Sequence, residues 1–290
     1  MGNLAESIAS GRFVVTSELN PPKGTNLDPL FERAESLKHC VDALNVTDSH
    51  AAKMSICPMA VAHLLQQRGI EPIMQMTSRD RNRIGIQSDL LGASALGIPN
   101  VVFMGGDPPK IGDHPEAPGV YDLVSVGVLE AAKALCAGHD INGNELAGKA
   151  SLYVGAVVNP GAADLDAEID RMKAKVDAGA QFLQTQAIYE AAAFERFMNA
   201  IEGIDVSILA GVILLKSAKM ANYMTENVPG INVPKALIRK MDESQNKAET
   251  STEIASDVIN EIRPMCQGIH IMPMGWENKI PGLLERMNTI

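Results

Sequence analysis

The sequence predicts a (β/α)8 TIM barrel with extra helices between its seventh and eighth strands. Three observations carry that prediction. Eight apolar runs of strand length alternate with stretches of helical period. Most runs are continuously apolar rather than alternating, as expected of strands covered on both faces. The 290 residues, 46% of them apolar, suffice for one large core, so a single catalytic barrel over residues 1–290 is expected.

Strands are expected at 13–18, 43–47, 72–76, 100–104, 151–157, 182–186, 207–213 and 268–272. Helical stretches fall at 30–38, 58–68, 84–96, 121–135, 163–178, 191–201, 217–226 and 279–287. Gly179 follows a helix with Ile169, Met172 and Val176 on one face, and suits a left-handed C-terminal cap. The interval before the eighth strand is long. Pro229, Gly230 and Pro234 punctuate it, and residues 241–262 read as one additional helix. Eight βα units in one chain imply the barrel.

Composition removes several function classes. A formal net charge of −10 leaves no basic face for nucleic acid. No apolar stretch has the length of a membrane span, and the first residues lack a secretory pattern, so the cytoplasm is the expected location. Cys40, Cys57, Cys136 and Cys266 are irregularly spaced, and the six histidines show no ligand spacing, so no metal site is expected. Cys40 and Cys136 read as core residues. Met76, Met104 and Met272 fall at strand ends, where thioethers can touch a flat ligand.

The chemistry concentrates at strand ends. Strand one runs into Glu18-Leu19-Asn20-Pro21-Pro22, and strand four into Gly105-Gly106-Asp107-Pro108-Pro109. Two strands that each end in a carboxylate and a diproline place two acids on one rim, where parallel barrels carry their chemistry. One carboxyl can be kept protonated by an apolar wall and the other ionised by hydrogen bonds. Which is which stays open at this point. Gly105 and Gly106 allow backbone N–H groups close to a ligand. Residues 105–119, rich in Gly and Pro, read either as a substrate lid or as a solvated connector.

Other strand ends offer polar groups. Thr47-Asp48-Ser49-His50 reads either as helix caps or as a hydroxyl contact to a cofactor. Gln184 and Gln186 share one side of strand six and need partners if they point inward. Arg79, Arg81 and Arg83 form either an anion site or an ion-paired helix start. Lys216, Lys219, Lys235, Arg239 and Lys240 form a second basic cluster. His50 and His114 lie in loops, whereas His270 reads as a satisfied core residue.

Taken together, these pieces resemble the methylenetetrahydrofolate reductase family. The matching residues are Ser17-Glu18-Leu19-Asn20-Pro21-Pro22, Asn45-Val46-Thr47, Gly106-Asp107-Pro108-Pro109, Lys175-Val176-Asp177-Ala178-Gly179-Ala180 and Gln184-Thr185-Gln186, in that order. The match covers about the first 215 residues well. The resemblance implies a short microbial form without a regulatory domain, binding FAD (or FMN) at the barrel rim. Reduced flavin would pass a hydride to 5,10-methylenetetrahydrofolate, with electrons from NADH, NADPH or another carrier. It implies Glu18 as general acid, Asp107 beside the flavin and pterin, and Gln186 on the folate. Thr47, Gln75, Met104, Gly106, Asp107, Tyr153, Asn159 and Lys175 fall at flavin-contacting positions.

There are departures from the family pattern. Gly105 stands where relatives often carry arginine, Met272 where a tyrosine stacks on the flavin, and Trp276 at the place of a substrate-contacting arginine. Arg79 or Arg81 is then expected to hold the nucleotide half. A homo-oligomer is expected, and some short relatives work with a zinc-containing partner subunit. Two rival readings are a flavin-free pterin-binding methyltransferase and a barrel subunit that docks a catalytic partner.

Overall fold

The computed structural model describes residues 2–287. Eight parallel strands close into a barrel in sequence order: β1 (Val14–Leu19), β2 (Ala43–Val46), β3 (Pro72–Thr77), β4 (Asn100–Met104), β5 (Tyr153–Val158), β6 (Phe182–Ala187), β7 (Ser207–Ile213) and β8 (Gly268–Met272). β1 pairs with both β2 and β8 in parallel, which closes the ring. Before β1 runs a helix that the sequence reading lacked, α1 (Asn3–Ala9). Between the strands lie α2 (Asp28–Leu37), α3 (Pro58–Gln67), α4 (Arg83–Ala95), α5 (Ser125–Ala137), α6 (Leu165–Asp177) and α7 (Ala191–Ala200). α8 (Ala218–Asn227), α9 (Lys235–Glu243) and α10 (Lys247–Ile262) fill the long interval before β8, and α11 (Ile280–Arg286) follows it.

Two expected boundaries move for local reasons. The single helix expected at 241–262 is broken at Ser244, whose backbone is extended, and Asn246 caps the restart by accepting from the Glu249 N–H. The helix expected from 121 begins at Ser125, because Tyr121 sits at φ +44 and its N–H bonds back to the Ser78 carbonyl.

Period-two alternation sorts each strand into a helix-facing and an interior set. Leu44, Val46, Met74, Met76, Val101 and Phe103 join the cluster shared with the outer helices. Met76 therefore points away from the rim, against the expectation that it meets a ligand. Cys40 and Cys136 are half-buried and pack against this cluster.

The barrel floor is apolar. Val14, Ala43, Ile73, Val102, Phe182 and Leu209 meet there, and Leu4 and Ile8 of α1 plug them from below. These two residues are one helical turn apart, so they share a face. α1 has no side-chain cap of its own. Glu71, at the foot of β3, accepts from the Asn3 and Leu4 N–H groups at 2.7 and 2.9 Å and from Asn100 Nδ2 at 2.9 Å. Glu71 thus satisfies free donors at the helix start.

Replacing Glu71 by Ala removes these acceptors. We expect a loss of about 1–2 kcal/mol, the usual scale for a lost helix cap. It should be read as a lower thermal midpoint, with faster amide exchange confined to α1. Unchanged exchange in α1 would mean that the plug holds without Glu71.

Candidate active site

Above the floor the interior turns polar. Thr16, Asn45, Gln184 and His270 are buried side chains of β1, β2, β6 and β8. They lie one alternation above Val14, Ala43, Phe182 and Gly268. Over them opens a cavity of about 490 Å³ at the C-terminal rim, lined by Glu18, Asp107, Lys175, Gln186, His270 and Met272 among others. Both carboxylates expected at the rim therefore line one cavity.

Their environments differ. Glu18 Oε1 accepts from Gln75 Nε2 at 3.0 Å and lies 3.5 Å from His270 Nε2. Burial pushes the Glu18 carboxyl up, but its hydrogen bond to and charge attraction by His270, the Gln75 amide and the charge of His50 outweigh it. The net effect holds Glu18 below the ordinary carboxylate range. Asp107 is exposed at the mouth. Its main-chain carbonyl is 3.5 Å from Arg79 Nη1. His270, which the sequence suggested was a satisfied core residue, is instead part of the site. Its position in the last strand, two residues from the rim, was the available signal.

β6 is irregular at the site. Its register with β7 shifts between Gln184 and Ala187. A bulge re-aims side chains, and here Gln184, Thr185 and Gln186 all line the cavity. Gln184 is deep and bonded to Asn45, whereas Gln186 turns its Oε1 to its neighbour's N–H, at 3.0 Å from Ala187 N. Lys175 is buried from α6, and its Nζ donates to the Val157 carbonyl at 2.7 Å. Burial lowers its proton affinity. Asn159 and Glu168 complete that side, with Glu168 accepting from the Asn159 N–H at 3.0 Å. Gly106 adopts φ +85, and a Cβ there would stand 3.0 Å from Thr77 Cβ, so only glycine fits without strain.

Gln75, Met104, Gly106, Asp107, Asn159, Lys175 and Gln186 thus gather with Glu18 around one cavity. Four other expected site residues do not join them. Tyr153 opens β5 at the opposite end of the barrel, where its ring stacks on Phe182 with centroids 5.2 Å apart. It supports the floor and cannot reach a rim ligand. Thr47 is buried and donates to Asn20 Oδ1 at 2.9 Å. Arg79 is buried against Asp80 and the Ser49 carbonyl. Arg81 is held by Asp48 at 2.6 Å and Asp89 at 2.8 Å. Arg83 pairs with Asp122. The three arginines form an ion-paired helix start, and Arg79 and Arg81, expected at the nucleotide half, are here engaged by aspartates and do not line the cavity. Asp48 is no helix cap either, because it also accepts from Thr77 N and Oγ1.

The loop after β4 is fastened rather than free. Lys23 donates to Asp113 Oδ2 at 2.5 Å and the Met54 N–H to Asp113 Oδ1 at 2.9 Å. A Cβ on Gly112 would fall 1.8 Å from the Ala52 carbonyl, so the two backbones touch. Ser49, Ala51 and Ala52 all have positive φ in this β2 loop, a strained stretch beside a site. Asp113 therefore ties the loops after β1, β2 and β4 together over the rim.

Comparison with known proteins agrees with this architecture. The family model described as methylenetetrahydrofolate reductase matches residues 3–288. A rice (Oryza sativa subsp. japonica) protein named probable methylenetetrahydrofolate reductase (NADH) is 24% identical over 306 residues, covering 99% of this chain and 50% of its own length. The chain spans about half the length of the plant and fission yeast relatives it matches. The 5,10-methylenetetrahydrofolate reductase of Salmonella typhimurium is 24% identical over 264 residues, 88% of this chain and 83% of that one. Among solved structures, an uncharacterized Clostridium thermocellum protein, described as binding two copies of 5-methyl-5,6,7,8-tetrahydrofolic acid, superposes with a TM-score of 0.67 at 15% identity, covering 99% of this chain and all of that one. At that identity the likeness speaks for the fold.

The Asp113 clasp has a defined pH response. Hydrogen bonds from Lys23 and Met54 pull its carboxyl down to about 2. A lowered folded-state value makes the clasp fully present above the ordinary value of 3.8 and lost as pH falls through about 2. Asp113→Ala should speed exchange of the Met54 amide several-fold at neutral pH, with the barrel strands unaffected. An unaltered Met54 rate would show that the loop is held by other contacts.

Proposed function

The chain belongs to the methylenetetrahydrofolate reductase family, and we propose that it catalyses flavin-dependent reduction of 5,10-methylenetetrahydrofolate to 5-methyltetrahydrofolate with Glu18 as general acid. The observation that carries this reading is Glu18 itself, a half-buried carboxylate gripped by Gln75 and His270 in the cavity that Asp107 shares. The folate ligand described for the Clostridium thermocellum neighbour is consistent with it.

The residues present fit a flavin, which we take to be FAD. Met104 and Met272 offer polarizable thioethers to a flat ring, and the chain at Gly105 and Gly106 leaves room for close approach. Lys175 has one carbonyl partner, at 2.7 Å, and two N–H groups left for an oxygen-rich ligand. When bound, the flavin supplies a hydride to the methylene carbon of the folate, after taking it from NADH or another electron carrier.

The work of the chain's own residues follows from their settings. Opening the five-membered ring of the substrate requires a proton on N10. Glu18 is ionised at rest, because its partners hold it low. A ligand that covers the cavity strips water from it and strengthens the burial effect, which favours the protonated acid. Substrate occupancy thus loads the group that must give the proton. Asp107, at the open mouth, accepts from pterin N–H groups and faces the positive charge that ring opening creates. Gln186 presents its amide to the folate from the edge of β6.

Glu18→Gln should keep reduction of the flavin by its electron donor and slow the folate half-reaction by about 10²–10⁴-fold, the usual contribution of a positioned acid. Stopped-flow absorbance of the two half-reactions separates these effects, and wild-type folate turnover in the variant would remove Glu18 from the acid role. Asp107→Asn should shift the flavin potential and weaken folate binding together, because it deletes one charge near both rings. Redox titration and folate titration of the same preparation check this. A protein that stays colourless with added FAD yet binds folate would favour the flavin-free methyltransferase instead.

A further inference from the structure

Strand β6 carries one residue more than its neighbour at the cavity. Gln184 pairs with Leu209 and Ala187 with Gly211, so Thr185 and Gln186 together stand against Ala210. An extra residue leaves backbone groups of the ladder to find other partners. The buried side chain of Thr185 supplies one. Its Oγ1 accepts from the Gly211 N–H at 2.8 Å and donates to the Gln186 carbonyl at 2.7 Å. One step further toward the rim the ladder resumes, and the Ile188 N–H donates to the Gly211 carbonyl at 2.9 Å. The hydroxyl is thus spliced between two strands at the point where their registers part. The fit requires a glycine on β7, because a Cβ at Gly211 would stand 2.3 Å from the Thr185 carbonyl oxygen.

The Gln186 carbonyl and the Ala187 N–H belong to one planar peptide and point in opposite directions from it. The Thr185 hydroxyl holds the carbonyl end. Gln186 Oε1 accepts from the N–H end at 3.0 Å. A backbone N–H can only donate, so the side-chain atom that faces it is the oxygen and not the nitrogen. Gln186 Nε2 is then the end of the amide left over. It has no protein partner among the described residues, and the half-buried Gln186 lines the cavity. Gln184, two residues earlier, differs, because both ends of its amide are taken by Asn45. Rotating the 186–187 peptide plane would break the carbonyl bond and carry off the N–H on which the Gln186 side chain rests.

We propose that Thr185 is a positioning residue whose hydroxyl fixes the 186–187 peptide plane and through it presents Gln186 to the bound ligand as a hydrogen-bond donor. The ligand group that Gln186 meets is therefore an acceptor, a carbonyl oxygen or an unprotonated ring nitrogen. Asp107 can only accept while ionised, so the two residues read opposite kinds of group on one ligand. Valine in place of Thr185 would keep the β-branched shape and leave the buried Gly211 N–H without its acceptor. The Gln186 carbonyl, which loses its donor by the same change, is the group left to satisfy that N–H. The plane then turns to bring the two together, and the Gln186 amide loses its fixed end. That the ligand is a folate rests on the proposed reductase reading; the hold on the peptide plane does not.

The test reads hydrogen exchange at single amides by NMR, and folate binding with 5-methyltetrahydrofolate as the probe, on the same full-chain preparations. Thr185→Val should speed exchange at both Gly211 and Ala187. It should also raise the folate Kd about tenfold, the scale of one hydrogen bond, with reduction of the flavin by its electron donor unchanged. Thr185→Ser, which keeps the hydroxyl, should bring both readouts back toward wild type. Once Gln186 is replaced by Ala, the valine change should weaken folate binding little further, because Thr185 acts through that side chain. A general loosening of β6 would instead cost the same in either background. A valine variant with wild-type folate affinity, or an equal loss with and without Gln186, would overturn the proposal. If the valine variant does not fold, Gln186→Ala decides. Faster Ala187 exchange in it upholds the fixed amide, and an unchanged rate shows that Oε1 holds no backbone N–H and removes the proposal. A wild type that binds no folate, with the Ala187 amide still freed by Thr185→Val, would keep the positioning role and remove the reductase reading.

Discussion

A carboxylate inside a barrel is tolerable only where partners replace the water it has lost. Glu18 meets that condition through Gln75 from β3 and His270 from β8. Those contacts span the closure of the sheet, because β8 is hydrogen-bonded to β1. Any change in barrel register would separate the three side chains. A one-residue slip of a strand turns its interior set outward, so the sheet that makes the core also determines whether the acid has partners. The apolar floor below, with Phe182 and the α1 plug, keeps water from reaching this polar layer from the other end.

The loops apply the same economy of charge at the rim. Each arginine of the β3–α4 connection is matched by an aspartate: Asp80 for Arg79, Asp48 and Asp89 for Arg81, and Asp122 for Arg83. Asp48 also holds the end of β3 through Thr77. These pairs fix the wall from which Gly106 and Asp107 are presented, and Arg79 supports the Asp107 carbonyl directly. Positive charge left for a ligand then comes from Lys175, buried on the other side of the cavity. The partition leaves Lys175 as a cation lining the cavity in a chain with a net charge of −10.

Much of this was legible in the sequence, for identifiable reasons. The eight continuous apolar runs gave the barrel because burial on both faces leaves no room for polar alternation. Glu18 and Asp107 were legible because a carboxylate before two prolines marks a strand that ends at a turn. The α1 plug was not, since its cap is supplied by Glu71, some seventy residues away in the chain. Tyr153 went to the wrong end because a motif position does not say whether a residue opens or closes its strand. His270 was passed over because period-two alternation says only that it points inward. Whether inward means floor or cavity depends on its height relative to seven other strands. The arginines illustrate the same limit: their aspartate partners, Asp48, Asp89 and Asp122, are spread over 75 positions, and only the folded chain brings them together.

The contrast between the two rim carboxylates then becomes an argument about division of labour. A group that must deliver a proton benefits from partners that fix its direction and from a setting whose polarity a ligand can alter. Glu18 has both, with a donor on one side, an imidazole on the other and a cavity above. A group that must only balance charge needs neither, and it works best where it can meet the ligand's own donors. Asp107 stands at the exposed mouth on a chain made close-fitting by Gly106. Exchanging the two positions would leave an acid open to water and a counter-charge locked to protein partners. The asymmetry of burial, more than the presence of two acids, is what would suit this cavity to the proposed addition of a proton and a hydride to one ligand.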